Sequence, residues 1–110
     1  MATVVITQNR EDIGHAIEEA LGHLDLAPLV RGRLVAVKPN ETKATPEDQT
    51  GVTQADTLRG VLRYVKRFEP RDLVVSGGAG AAETDEVFRL TGMMDVVEEE
   101  GATFFDHNRP

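Results

Sequence analysis

The sequence predicts an α/β fold in three layers: a mainly parallel, four-stranded sheet with helices on both faces. Short, continuously apolar runs rich in β-branched residues recur along the chain, and such runs are typical of strands covered on both faces. Segments with apolar residues at three- and four-residue spacing lie between them, as expected of helices that pack on a sheet. The resulting βαβαβαβ order favours a parallel sheet with right-handed crossovers.

Four segments are predicted as strands. Residues 4–6, 34–37 and 73–75 are apolar throughout, whereas residues 103–105 begin with a threonine and give the weakest of the four signals. The β-branched and aromatic side chains in these runs suit a pleated surface that is at least half buried. We therefore expect four strands in the sheet, the first of them close to the start of the chain.

Apolar residues at helical spacing predict the helices between these strands. The first helix follows Asn9, a suitable N-cap, and the second follows Thr53 and ends at Pro70. A third begins near Thr84, and a final helical turn ends near Gly101. Their apolar positions are Ile13, Ala16, Ile17, Ala20, Leu21 and Leu24, then Leu58, Val61, Leu62 and Val65, then Val87, Phe88 and Leu90, then Val96 and Val97.

Length and composition predict one small domain over residues 1–110. A chain of 110 residues buries about two-thirds of its unfolded surface on folding, which is enough for a core without cross-links. The sequence contains no cysteine, which excludes disulfides, thiolate metal sites and cysteine nucleophiles in this segment. It shows no signal-peptide pattern and no run approaching the roughly 20 apolar residues that cross a bilayer. We therefore expect a cytoplasmic protein with no membrane contact and no cofactor bound by this segment.

The charge balance is acidic, with a formal net charge of −7. Such a field repels nucleic acid, so we expect no nucleic-acid partner. One basic stripe at helical spacing runs against this balance, and it comprises Arg59, Arg63, Lys66 and Arg67. The stripe is better interpreted as a helix face that balances acidic neighbours than as a binding surface. A protein partner at this stripe is the alternative.

The end of the second predicted strand offers the first candidate binding groups. Lys38 and Asn40 follow this strand, and the irregular stretch 39–52 comes directly after it. Ligands of open α/β sheets bind at the carboxyl ends of strands, and loops of this length are usually functional. Lys38 could meet a phosphate or carboxylate there, while Asn40 donates and accepts hydrogen bonds. The simpler interpretation, favoured by the pattern alone, is a turn with Lys38 extending off the sheet edge.

A glycine-rich stretch after the third predicted strand offers the second set of groups. Gly77, Gly78 and Gly80 lie between that strand and the helix near Thr84. Glycines allow close approach of the backbone to an anion, and a helix start presents free N–H groups. The stretch matches neither a dinucleotide fingerprint nor a Walker loop. Anion binding and a plain strand-to-helix turn are therefore equal alternatives.

His107, beside Asp106 and Asn108, follows the last predicted strand. A histidine and an aspartate together can bind a metal or move protons. An adjacent pair alone supplies too few convergent ligands, so we expect no metal site.

Several short motifs together resemble a known family. They are VAVKPN at 35–40, TGVT at 50–53, LVVSGG at 73–78, TDEVFRLTG at 84–92 and the closing Phe105 and Asp106. From about Arg33 to Asn108 the sequence is similar to the family called domain of unknown function 362. The Lys-Pro-Asn strand end and the threonine–glycine turn are its most specific parts.

The resemblance implies that Lys38, Asn40, Thr53 and the glycine loop line one site, and it supplies no catalytic role. Family members are largely uncharacterised, and many occur with ferredoxin-like modules that hold four-iron, four-sulfur clusters. Since this chain lacks cysteine, any cluster would lie on another segment or protein. Members are typically longer, so the resemblance implies that this chain is an N-terminal part of a longer parent protein. An uncovered sheet edge in such a part favours homo-oligomers.

Three functional hypotheses follow. The first is a module that binds a small anionic ligand at the strand ends, within a redox-associated protein, with the stretch 39–52 as a cover. The second is an enzyme that uses Lys38 or His107 as an acid or base in the same cleft. The third is a protein–protein assembly domain that uses the basic stripe.

Overall fold

A parallel sheet of three strands organises the chain, and the computed structural model describes all 110 residues. The helices are α1 (Ile13–Leu21), α2 (Ala27–Val30), α3 (Ala55–Lys66), α4 (Thr84–Leu90) and α5 (Met93–Glu99). The strands are β1 (Leu34–Val37), β2 (Asp72–Gly77) and β3 (Thr103–Asp106). The predicted α/β class and three of the four predicted strands are confirmed. No helix is long and apolar enough to cross a membrane.

The strands pair in the order β1-β2-β3, and both pairings are parallel. Val75 lies at the centre of the sheet, opposite Val37 on one side and Phe104 on the other. Both crossovers step in the same direction, and right-handed crossovers of this kind place their helices on one face. Helices α3 and α5 accordingly contact each other. The predicted parallel sheet is confirmed.

The core lies between the sheet and the helices that cover this face of it. Strand residues Leu73 and Val75 pack there with Leu62 of α3 and Phe88 of α4. The rings of Phe88 and Phe104 lie 4.8 Å apart, within the range of favourable aromatic pairs. Helices α1 and α3 pack against each other at Gly60, where an added Cβ would meet Ile17 Cδ1 at 2.6 Å. Glycine at this position therefore permits the close approach of the two helices.

The predicted strand at residues 4–6 does not form. Val4 and Ile6 are 83% and 90% exposed, and no backbone hydrogen bond joins this segment to the sheet. The following helix, α1, packs on α3 rather than on the sheet. A crossover helix must lie on the sheet to bring its two strands side by side. The segment therefore has strand propensity but no neighbouring strand, and the sheet has three strands instead of four.

The opposite face of the sheet carries exposed apolar side chains at both ends. Leu34 of β1 is 57% exposed, and Phe105 of β3 is 45% exposed. These residues pair with Asp72 and Ser76 of β2 and alternate with the residues of the core face. The predicted arrangement of three layers with helices on both faces is therefore not confirmed.

The helix boundaries differ from the predictions at two starts. Asp12, not Asn9, is the N-cap of α1, and its carboxylate accepts from the His15 N–H at 3.2 Å. Asn9 instead forms a turn, in which its side-chain oxygen accepts from the N–H groups of Glu11 and Asp12. Helix α3 begins one residue later than a Thr53 cap would allow, with Gln54 at the N-cap position.

Candidate functional site

The three strands end at one edge of the sheet, where the chain places Glu41 at the centre of the candidate site. Its side chain is only 3% exposed. The carboxylate accepts from the Gly78 N–H at 2.9 Å and from Lys38 Nζ at 3.2 Å. The glycine loop after β2 therefore holds an anion in this structure, and that anion is part of the chain itself. Lys38, by contrast, is 54% exposed and open to solvent.

Gly77 makes room for this carboxylate. A Cβ at Gly77 would lie 3.1 Å from Cγ and Cδ of Glu41 and 3.1 Å from Cε1 of Phe88. Contacts this close between carbon atoms force neighbours to move. At Gly78 an added Cβ would meet Cβ of His107 at 3.1 Å. Both glycines are therefore needed for close packing around Glu41 and the end of β3.

Asn40 and Thr53 tie the two ends of the stretch 39–52 together. The Asn40 N–H donates to Thr53 Oγ1 at 2.9 Å, and the Thr53 N–H donates to the Asn40 carbonyl at 2.9 Å. The Asn40 side-chain amide also donates to the Gly51 carbonyl at 2.6 Å. These bonds give both residues a structural part in closing the loop. Neither side chain bonds to Glu41.

The stretch 39–52 is folded onto the glycine loop. Val52 is buried against Ala79 and Val87. Within the stretch, Thr50 donates to the Asp48 carboxylate from its hydroxyl at 2.6 Å and from its N–H at 3.0 Å. These two hydrogen bonds lower the pKa of Asp48. The stretch therefore has turns of its own, and besides supplying Glu41 it contacts the glycine loop through Val52.

The end of β3 holds the glycine loop from the other side. The His107 N–H donates to the Gly77 carbonyl at 2.7 Å, and the Asn108 amide donates to the Ala79 carbonyl at 2.9 Å. The Ala79 N–H in turn donates to Thr84 Oγ1 at 3.0 Å. The carbonyl of Gly77 and both backbone groups of Ala79 are therefore hydrogen-bonded within the chain.

The structure brings together Lys38, Gly77 and Gly78 of the predicted set, all around Glu41. Gly80 is exposed, and nothing lies within 4 Å of where its Cβ would be. The His107 ring is also exposed and lies 5.7 Å from the Phe105 ring. Sequence reasoning missed Glu41, because it lies in a loop after β1, where residue spacing does not indicate which side chains meet.

The surface cavities lie away from Glu41. The one within the stretch 39–52 has a volume of about 350 Å³ and is lined by Lys43, Thr45, Asp48 and Gly51 among others. The largest, of about 490 Å³, lies between α1 and α3 beside Arg59. A third cavity, of about 400 Å³, lies at the end of β3 and is lined by Phe105, Asp106 and Arg109 among others. No cavity is lined by Glu41 itself, whose side chain fills the space beneath Gly78.

A second buried carboxylate, Glu100 at the end of α5, collects the basic stripe of α3. Its side chain is 7% exposed, and it accepts from Arg59 at 2.7 Å, Lys66 at 3.1 Å and Arg63 at 3.2 Å. Burial acts to raise the pKa of Glu100, but these hydrogen bonds outweigh it and lower the pKa from 4.5 to about 2. Arg67 pairs with Glu18 of α1. The stripe therefore pairs with acidic side chains of its own chain, and Glu100 is buried among these cations rather than exposed at the end of the helix.

Comparison with known proteins supports the resemblance drawn from the motifs. A family model described as "Domain of unknown function (DUF362)" matches residues 35–110, which is more than half of the chain. The matched part includes the three strand ends and Glu41, and it begins after α1 and α2. No curated protein and no solved structure gives a significant match. The chain belongs to the DUF362 family.

Proposed function

We propose that this domain binds a small anion bearing a carboxylate or a phosphate at the carboxyl ends of its strands, in exchange for the Glu41 carboxylate. One observation carries the proposal. The Gly78 N–H and Lys38 Nζ converge on a carboxylate at 2.9 and 3.2 Å, so the donors of an anion site are already in place. The position, at the strand ends of a parallel sheet, is where ligands of open α/β sheets bind.

The energies of the internal contacts make such an exchange feasible. A hydrogen bond to a charged group contributes about 1.5–3 kcal/mol, and an exposed ion pair contributes about 0–1 kcal/mol. Lys38 is more than half exposed, so its bond to Glu41 belongs to the weaker kind. A ligand that makes the same two bonds therefore replaces them at little net cost. The released Glu41 carboxylate regains its hydration in solvent.

The test is a calorimetric titration of the whole chain with inorganic phosphate and with acetate. Glu41→Gln keeps the shape of the side chain but removes the competing negative charge. We expect it to bind at least tenfold more tightly than the wild type, which corresponds to about 1.4 kcal/mol. Lys38→Ala in the Glu41→Gln background should remove this binding because the cation is lost.

Lys43→Ala in the same background is the matched control, since Lys43 is an exposed lysine of the stretch 39–52 with no ion pair. It should bind as tightly as Glu41→Gln alone. Circular dichroism melts confirm that each variant is folded. If Glu41→Gln binds neither anion, or if the two lysine variants lose binding equally, the strand-end site is not an anion site.

The acid–base alternative and the association with a ferredoxin-like module stay predictions. Lys38 is paired with Glu41, and His107 is exposed beside Phe105 without a carboxylate partner. No specific contact favours the assembly role of the basic stripe, because Arg59, Arg63 and Lys66 bind Glu100 of their own chain.

A further inference from the structure

Two features of this chain lack a strand partner. The first is the N-terminal segment, residues 4–6, an uncharged run of three β-branched side chains. Its residues form no backbone hydrogen bond, and Val4 and Ile6 are almost fully exposed. The second is the outer edge of β1, because β1 pairs only with β2. An exposed apolar strand and an unpaired sheet edge are the two halves of a strand-addition interface.

The two halves match in length and character. The N-terminal segment offers three residues and β1 offers four, with no charge in either. β1 has Leu34 and Ala36 on its open face and Val35 and Val37 on its core face. An added strand at this edge would extend the sheet from three strands to four. It would also place one or two more apolar side chains beside exposed Leu34.

The segment is held away from the sheet of its own chain. Thr7 Oγ1 donates to the Ala16 carbonyl of α1 at 2.7 Å, directly after the segment. Helix α1 packs on α3, and Glu18 pairs with Arg67 across this contact. Pairing with the same chain's β1 would disturb these contacts. The β1 edge of a second copy is available without any such change.

We propose that residues 4–6 of one copy add as a strand to the β1 edge of a second copy, in a reciprocal dimer. When each copy adds its segment to the other, both β1 edges gain a partner strand, and one two-fold axis relates the two contacts, as in closed dimers. The occupant of the edge is therefore a second copy of this chain, and the contact consists of backbone hydrogen bonds flanked by apolar side chains. This inference is independent of the anion site.

The first test is the mass of the whole chain in solution, measured by sedimentation from micromolar to millimolar concentration. About 0.15 M salt shortens the Debye length to about 8 Å, which limits repulsion between copies that each carry −7. We expect a dimer whose dissociation constant rises at least tenfold in Val5→Pro or in Ile6→Pro, because N–H groups of successive strand residues point to opposite sides and proline removes the one that faces β1. Neither residue forms a backbone hydrogen bond, so both changes leave the fold intact.

Leu24→Ser is the matched control, since Leu24 is another exposed apolar residue, in the turn after α1. It should dimerise like the wild type. A wild-type chain that stays monomeric at millimolar concentration overturns the proposal. A dimer that neither proline variant weakens also overturns it, because its interface then lies elsewhere.

The second test uses the absence of cysteine, which makes introduced thiols the only ones present. Val5→Cys and Ile6→Cys chains are each mixed with Ala36→Cys chains under mild oxidation. One of the two segment positions shares a face with Ala36, and neighbouring strands bring Cβ atoms close enough for a disulfide. We expect a mixed disulfide for one pair and none with exposed Ala82→Cys in place of Ala36→Cys. Failure of both pairs, or bridging only within one chain of a double variant, contradicts strand exchange.

Discussion

Glu41 and Glu100 are both carboxylates with less than a tenth of their side chain exposed, yet the chain surrounds them differently. Three cationic side chains of α3 converge on Glu100, and Lys66 also bonds to its backbone carbonyl at 3.0 Å. Glu41 has one exposed lysine and one backbone N–H. Burial alone therefore does not distinguish a structural ion cluster from a binding site. The number of cationic partners separates the two residues, since three basic side chains contact Glu100 and one contacts Glu41.

The difference follows from where each residue lies. Glu100 is the C-cap of α5 and lies beside α3, so its ion pairs with basic side chains of α3 join two helices of the core layer. Glu41 lies in a loop at the strand ends, where the glycine backbone supplies a donor that any anion can use. We infer that Glu100 stabilises the fold and that Glu41 is a replaceable occupant. Three predictions test this contrast, from the largest expected effect to the smallest.

Replacing Glu100 by alanine should lower the free energy of unfolding by about 2 kcal/mol, since hydrogen bonds to charged groups contribute about 1.5–3 kcal/mol. The change also leaves Arg63 and Lys66 without a carboxylate partner, whereas Arg59 keeps its pair with Glu99. Urea unfolding followed by circular dichroism measures the loss. Glu98→Ala, an exposed change two residues earlier with no ion pair, should alter stability by less than about 0.5 kcal/mol. Equal effects of the two variants would contradict the structural role of Glu100.

The same cluster should make stability depend on acid. The folded pKa of Glu100 is about 2, below the ordinary 4.5, because the hydrogen bonds from Arg63, Lys66 and Arg59 outweigh the effect of burial. Between these two values the unfolded chain binds more protons at this position than the folded chain does. The stabilisation is therefore fully present above pH 4.5 and is lost as the pH falls toward 2.

The measurement compares urea unfolding at about pH 5.5 and about pH 3 for the wild type and for Glu100→Gln, which cannot titrate. Glu100→Gln should lose less stability between the two pH values than the wild type loses. Glu98→Gln serves as the control and should decline as steeply as the wild type. If Glu100→Gln also declines as steeply, the acid dependence arises from other carboxylates.

How far the sequence predicts these features depends on the distance between the partners along the chain. The strands at 34–37 and 73–75 follow from unbroken apolar runs that contain several β-branched residues, and the structure places β1 and β2 there. Residues 4–6 show the same pattern without forming a strand, because a strand needs a neighbour that α1, packed on α3, does not provide. Local composition thus predicts propensity, whereas pairing is decided by the packing of the intervening helix.

The candidate site shows the same limit. Lys38, Gly77 and Gly78 were predictable because strand ends and glycine loops have local signatures. The bond between Glu41 and Gly78 joins residues 37 positions apart, and nothing in the local pattern indicates it. The sequence therefore predicted Lys38 and Gly78, which donate at the strand ends, but not the Glu41 side chain that accepts from them.

The smallest expected effect is that of Lys38→Ala on stability. Lys38 is more than half exposed, so its pair with Glu41 should contribute less than about 1 kcal/mol to the free energy of unfolding. Lys66→Ala is the comparison, since Lys66 bonds to both the carboxylate and the carbonyl of Glu100, and it should cost more. Urea unfolding of both variants at neutral pH measures the difference. A larger loss in Lys38→Ala would mean that Glu41 depends on this lysine for its burial, and it would then behave as a second structural carboxylate rather than as an occupant that a ligand replaces.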